Sequence, residues 1–441
     1  MSTVARVGMS MKSGDWLRSD FFSVGVSQTI AALGQIIGVR LLTEALSPAV
    51  FGEVILLLGV VTLATSVLVN PTMQALLRYY PEYAQFGDGA SVERTALQRI
   101  MRNSALALPL SIPLGVLGVA AGWFSPTVII LLLILVAVDG LRMLRTTIMN
   151  ASRQHHRYGV WQIGEAWGRP LLAYGAIVWW GIHTEIVLAA YIITSLALYG
   201  CMNHSIDPRP AVMPGRDVNE DDLLRKFAIY GMPLIPLGLL GWISGMADRY
   251  MIGSMLSAEN VGMYAAAYGL ASRPMLMLSS IAETAIRPVY STAVVRNDLE
   301  ASRKCLVAWF AVVCTAGIAT CVLFALFHQQ LAYLLLGPGF REASHFMPWI
   351  AAGYSLLALY HISVRVCLAH DAPQAVTLTE AAGAVLAVAM GFIFIRTSGV
   401  SGAALAVPLF CGIQLVVSVW LAVRSVRSVR SRQEHLVAST T

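Results

Sequence analysis

An all-α, polytopic membrane protein of about twelve transmembrane helices, arranged as two six-helix bundles, is predicted by three observations. The chain is 57% hydrophobic and only 12% charged, whereas a soluble domain carries roughly 25% charge. Apolar runs near the ~20 residues that a helical span needs recur along all 441 residues with short loops between them. The loops alternate between rich and poor in arginine, the pattern of a chain that crosses a bilayer repeatedly.

Residues 1–19 are polar and weakly basic (Arg6, Lys12, Arg18). The apolar run after them is too long for a signal peptide's hydrophobic region and has no cleavage pattern, so it is expected to stay as an anchor. Spans are expected at about 20–42, 50–70, 104–123, 126–149, 160–180 and 185–203. A second set follows at about 227–254, 262–285, 304–327, 346–368, 374–395 and 399–423. With both termini inside, one side collects Arg78, Arg94, Arg99, Arg102, Arg153, Arg157, Arg209, Arg216, Arg225, Lys226, Arg296, Arg303 and Lys304. The other side holds Glu44, His183, Glu185 and Glu259 with only Arg341 and Arg396, so both termini are placed in the cytoplasm. The same rule explains the net charge of +6 without nucleic acid, which is not expected as a partner.

Four regions are expected. They are a six-helix bundle over 1–203, a cytoplasmic linker over 204–226 rich in proline and acid, a second bundle over 227–424, and a basic tail over 425–441. Arg424, Arg427 and Arg430 recur every third residue and suit anionic lipid. Two halves of six spans each begin on the same side and would be related by an axis along the membrane normal. A short repeat agrees with this. Leu46-Ser47-x-x-x-Phe51-Gly52 recurs 210 residues later as Leu256-Ser257-x-x-x-Val261-Gly262, and Ala75-Leu76-Leu77-Arg78 lines up with Thr284-Ala285-Ile286-Arg287. Pro109, Pro113, Pro170, Pro233, Pro236, Pro274 and Pro408 interrupt spans. Pro233 and Pro236 open the helix that starts the second half and are the hinge candidates.

The chain lacks HExxH, GxSxG and phosphate-loop signatures, and no Cys/His set has metal-ligand spacing. Its six cysteines lie in or beside apolar segments and read as small buried side chains. His155-His156 reads as a solvated turn. Neither a catalytic residue, a metal nor an organic cofactor is therefore expected. The informative residues are charges inside spans, which are costly unless they pair or face water. Arg142, Arg273, Arg365, Arg249, Arg40 and Arg287 are the candidates for a cationic cavity, since a guanidinium fork matches phosphate oxygens. Asp139, Glu165, Asp248, Glu283 and Glu380 are candidates for coupling to a proton or sodium gradient. Glu165–Arg169 and Glu283–Arg287, each at i,i+4, have the spacing of ion pairs within one helix.

The stretch Tyr230–Tyr264 carries Gly231-x-Pro233, Asp248-Arg249-Tyr250 and Val261-Gly262-x-Tyr264. It resembles the first helix pair of the second half in the polysaccharide-transport branch of the multidrug/oligosaccharidyl-lipid/polysaccharide exporters, the branch of the O-antigen flippases. The resemblance implies a multi-pass protein of the bacterial inner membrane that flips a polyprenyl-pyrophosphate-linked oligosaccharide outward by alternating access. It also implies neighbouring polysaccharide-assembly proteins. Two enzyme classes that handle such glycans carry larger outer loops than any here. The rival readings are a multidrug antiporter, whose cavity would need acidic walls, and a non-transport subunit of a polysaccharide synthase, which would not need deep charges.

Overall fold

The computed structural model describes residues 13–120, 122, 125–203, 219–296 and 298–440, and every regular element among them is helical. Helix α1 (Ser13–Ala45) leads into a tight turn. There Ser47 caps α2 (Pro48–Ala64), its Oγ accepting from the Val50 nitrogen. One π-helical turn, Thr65–Val69, joins α2 to α3 (Asn70–Ala84), so Pro48–Ala84 forms one span of 37 residues. Helices α4 (Gly89–Ala120), α5 (Pro126–Ala151), α6 (His155–Trp180) and α7 (Thr184–Asn203) complete the first half.

The second half begins with α8 (Glu220–Gly231) and α9 (Leu234–Met255), joined at a bend of 42°. The bend falls at Pro233, whose missing N–H interrupts the helical ladder. Helices α10 (Ala258–Ala271) and α11 (Arg273–Val295) share the next span. Then come α12 (Leu299–Leu335), a 3-10 segment Pro338–Phe346, α13 (Met347–Ala369) and α14 (Pro373–Thr440). Gly399 divides α14 into two arms at φ +61°, a backbone conformation that glycine adopts without cost. With α14 as two arms, six spans lie on either side of residues 204–218. Helices α6 and α11 carry charges along their length, Glu165 and Arg169 on α6, and Arg273, Glu283 and Arg287 on α11.

The linker expected over 204–226 falls outside the described residues as far as 218. From 220 it is already helix. Asn219 Oδ1 accepts from the nitrogens of Asp221 (3.0 Å) and Asp222 (3.2 Å), and the acidic first turn Glu220-Asp221-Asp222 complements the positive helix end. Helix α8 then lies on α3 and α4. Lys226 donates to Asp222 (2.8 Å) and to the Tyr83 hydroxyl (3.3 Å), and these bonds hold its ammonium above the usual lysine range. In the tail, Arg424 sits over the Trp420 ring, and the side chains beyond Arg427 lie outside the described residues.

The two copies of the short repeat meet each other. Helices α2 and α10 cross so closely that a Cβ on Gly52 would overlap the Ala258 carbonyl oxygen, and one on Gly262 would overlap that of Pro48. These are equivalent contacts, because Pro48 and Ala258, like Gly52 and Gly262, occupy matching places in the repeat. Each helix reads the other as its own image, the form of a two-fold, self-complementary interface. Small residues permit such backbone approach between membrane helices. Ser257 caps α10 as Ser47 caps α2, with its Oγ accepting from the Asn260 nitrogen at 3.2 Å.

Around this crossing the end assigned to the outside is shut. The Gly337 nitrogen donates to Thr43 Oγ1 at 2.9 Å. Phe51 and Phe340 meet edge to face at 5.5 Å. Arg40 pairs with Glu44 at 2.9 Å and donates to the Leu336 carbonyl. The largest buried core, which includes Leu46, Phe51, Val261, Tyr264 and Phe340, lies in this region.

Candidate functional site

Beneath the seal lies a cavity of about 560 Å³ between α1, α2, α6, α7 and α11. Its polar lining comprises Gln28, Gln35, Gln162, Glu165, Arg169, Tyr191, Arg273 and Ser280. Helix α1 can approach α6 here because Gly34 and Gly38 face Trp167 and Pro170.

Four of the buried charges close into a ring. Arg142 donates from Nε to Asp139 Oδ1 (3.1 Å) and from Nη1 to Glu165 Oε2 (2.7 Å). Arg169 donates from Nη2 to the same Asp139 oxygen (2.5 Å) and pairs through Nη1 with Glu165 Oε1 (3.2 Å). Ser195 accepts a further bond from Arg169 (2.9 Å), and the Tyr191 ring lies 5.4 Å from that guanidinium. Two acids and two bases cancel. Each carboxylate accepts two charge-assisted bonds, which offsets the cost of taking these groups out of water.

Arg273 is different. It begins α11 and enters the cavity from the second half. Among the described residues it forms no ion pair, and its buried Nε has no hydrogen-bond partner. Once the ring has cancelled, Arg273 leaves the cavity with an excess positive charge.

The other charged candidates are placed as follows. Arg365 pairs with Glu283 at 2.7 Å, and Arg287 reaches the same carboxylate at 3.4 Å. Arg249 donates to the Gly245 carbonyl (2.6 Å) and to Asp248 (3.0 Å), and it stacks 3.9 Å from the Tyr268 ring centre. Asp248 also accepts from the Tyr264 hydroxyl at 2.6 Å. Glu380 accepts from Tyr360 at 2.8 Å inside a smaller cavity of about 210 Å³ in the second half. Arg40 belongs to the outer seal. The structure thus brings Asp139, Arg142 and Glu165 together with Arg169, and sets Arg273 across the cavity from them. Arg249, Arg287, Arg365, Asp248, Glu283 and Glu380 stay in local contacts within the second half.

A family model described as "Polysaccharide biosynthesis protein" matches residues 17–294, well over half of the chain. The chain belongs to that family. No curated protein matches the sequence. Solved structures with the same fold include an inward-facing multidrug-resistance MATE transporter of the MOP superfamily (13% identity, TM-score 0.73, covering 94% of this chain and 99% of the other). The lipid II flippase MurJ in an inward closed conformation is also similar (12% identity, TM-score 0.67, covering 93% and 90%). So is a MOP-superfamily transporter from Pyrococcus furiosus (12% identity, TM-score 0.64, covering 94% and 96%), described as having a binding pocket of reversed polarity. At these identities the likeness establishes the shared fold.

In this member of the polysaccharide biosynthesis family, several site residues carry no charge and so were not among the candidates read from the sequence. Tyr268 and Tyr354 hydrogen-bond through their hydroxyls and enclose Arg249. Trp242 donates to the Gly59 carbonyl (2.8 Å) and Tyr250 to the Leu56 carbonyl (2.7 Å), tying α9 to α2 across the halves. Tyr250 and Tyr264 stand in the motifs quoted from the sequence, whereas Tyr268, Tyr354 and Trp242 had only one signal to find them by, that an arginine in lipid needs polar neighbours.

Proposed function

We propose that this protein is a flippase that carries a polyprenyl-pyrophosphate-linked oligosaccharide from the inner to the outer leaflet of the bacterial inner membrane, for surface polysaccharide assembly. The observation that carries the reading is Arg273, a half-buried cation without an ion pair, facing a cavity that is shut on the outer side. A guanidinium held there without a carboxylate suits the oxygens of a phosphate group. The neutral ring opposite neither attracts nor repels that anion strongly. Family membership supports a polysaccharide role, and the fold is one that transporters use.

Alternating access would part the α2–α10 crossing and close the inner ends, with Pro233 and Pro236 as the hinge of α8–α9. Asp139, Glu165, Asp248, Glu283 and Glu380 are the groups through which a proton or sodium gradient would act. Arg142, Arg365, Arg249, Arg40 and Arg287 hold these carboxylates or the outer seal. An antiporter of amphipathic cations is disfavoured, because the excess charge of the cavity has the wrong sign.

The test is a deletion strain in which lipid-linked oligosaccharide on the inner leaflet and glycan on the surface are both quantified. Deletion should cause accumulation inside and loss outside. Wild type should restore export, and Arg273→Ala should not, at equal protein abundance. Unchanged lipid-linked intermediates together with altered resistance to cationic drugs would reject the flippase reading in favour of the antiporter.

A further inference from the structure

A second cavity, of about 680 Å³, lies between α2–α3 and α9 and opens onto Arg249, Tyr268 and Tyr354. Its chemistry differs from that of the first. Along the α2–α3 span, Thr62, Ser66, Asn70 and Gln74 face it at intervals of four residues. A regular α-helix would rotate such a series steadily out of line. The π turn Thr65–Val69 lies within the series and brings it back towards one face, and the Leu68 carbonyl accepts from Asn103 Nδ2 at 3.1 Å. Such π turns gather at functional sites. A row of hydroxyls and amides facing hydrocarbon would be costly, so this face belongs to a wet groove.

The adjoining wall is α9, which touches the α2–α3 span at Gly238, where a Cβ would lie 2.7 Å from the Ser66 carbonyl oxygen. A Cβ on Gly241 or Gly245 would meet nothing within 4 Å, so the space there is open. Tyr230 and Trp242 supply aromatic surface. The one charge on the lining is Arg249, already engaged by Asp248, the Gly245 carbonyl and the Tyr268 ring. The groove therefore offers uncharged groups that both donate and accept, beside aromatic faces. Sugar hydroxyls, which also donate and accept, and the apolar faces of pyranose rings match that lining. Arg273 opens α11 just past Ser272, whose N–H donates to the Tyr268 carbonyl at the end of α10, and Tyr268 borders the groove, so the two sites adjoin.

We propose that this groove is the saccharide subsite: neutral sugar residues of the cargo lie along Thr62, Ser66, Asn70 and Gln74 against α9, while the phosphate end stays by Arg273. The inference rests on the flippase reading. It is tested by binding to purified protein in detergent, with three probes: undecaprenyl pyrophosphate alone, the same carrier bearing one N-acetylglucosamine, and the carrier bearing a neutral tetrasaccharide.

Wild type should bind the tetrasaccharide form more tightly than the bare carrier by about tenfold, the size of one or two net hydrogen bonds. Gly241→Leu, which fills the groove, should erase that preference and leave bare-carrier binding intact. The double variant Asn70→Ala/Gln74→Ala, which disturbs no tight packing, should do the same. Arg273→Ala should weaken all three probes alike. If wild type binds the three probes equally, or if both groove variants keep the preference, the groove is overturned as a sugar site and the flippase reading stands. If wild type binds none of them, both readings fall together.

Discussion

Consider Gly52→Ala at the crossing of α2 and α10. A Cβ there would overlap the Ala258 carbonyl oxygen and lie 2.8 Å from the Gly262 nitrogen. Both obstacles are backbone, so no side chain can rotate away. Carbon contacts relax near ~3.5 Å, so the helices would have to part by roughly 1 Å or more. Overpacking of this kind costs about 1–3 kcal/mol, and it falls only on the state in which α2 and α10 touch. At about 1.4 kcal/mol per tenfold, the equilibrium should move away from the sealed state by a factor of roughly 5 to 150. Gly262→Ala should act the same way through the Pro48 carbonyl, and the pair should be less than additive because they part the same two helices. The assay is labelling of Leu58→Cys, below the seal in the first cavity, by a membrane-impermeant thiol reagent added outside, in a background without the native cysteines. Labelling should speed up by the same factor. An unchanged rate in both alanine variants, with normal stability, would refute the view that this crossing seals the outer end.

The buried charges give further predictions. Asp139→Asn should destabilise the protein by about 3–5 kcal/mol, because it leaves Arg142 and Arg169 sharing one carboxylate; thermal unfolding in detergent would register this, and Glu165→Gln should behave alike. Arg273→Ala should leave thermal stability at or above that of wild type, since it removes a half-buried charge without an ion pair, while glycan export falls; a marked loss of stability would make Arg273 structural. Ser257→Ala should cost about 1 kcal/mol by uncapping α10, read in the same unfolding experiment, and Ser47→Ala should match it if the two hairpins are equivalent.

Much of the fold was legible because the bilayer imposes it. A span needs length and apolarity, and both are written residue by residue in a helix whose hydrogen bonds are all internal. The repeat could be read as sequence, but not its consequence. Nothing in Ser47–Gly52 and Ser257–Gly262 taken singly says that the copies lie against each other. That needs the pseudo-symmetry and the close approach that two glycines permit. The i,i+4 pairs Glu165–Arg169 and Glu283–Arg287 were legible because one helix fixes their spacing. The links from Arg142 to Glu165 and from Arg365 to Glu283 join different helices and appear only once the helices are packed. The start of α8 inside the expected linker was hidden by its charge, since three acids in a row read as loop until Asn219 is seen capping them.

Arg273 and Arg142 show why counting charges along the sequence cannot define a site. Both are arginines deep in spans, and by composition they are interchangeable. Packing separates them. Arg142 is committed to two carboxylates, and removing it would leave both to share Arg169. Arg273 stands opposite that neutral ring, at the first turn of α11, where Pro274 fixes the helix start and no acid of its own helix lies within reach until Glu283. An arginine that a fold keeps half-buried and without a carboxylate costs stability while its cavity is empty. On the proposed flippase reading, a phosphate-bearing ligand would relieve that cost each time it entered, and the outer seal would hold the cavity in the form that receives it.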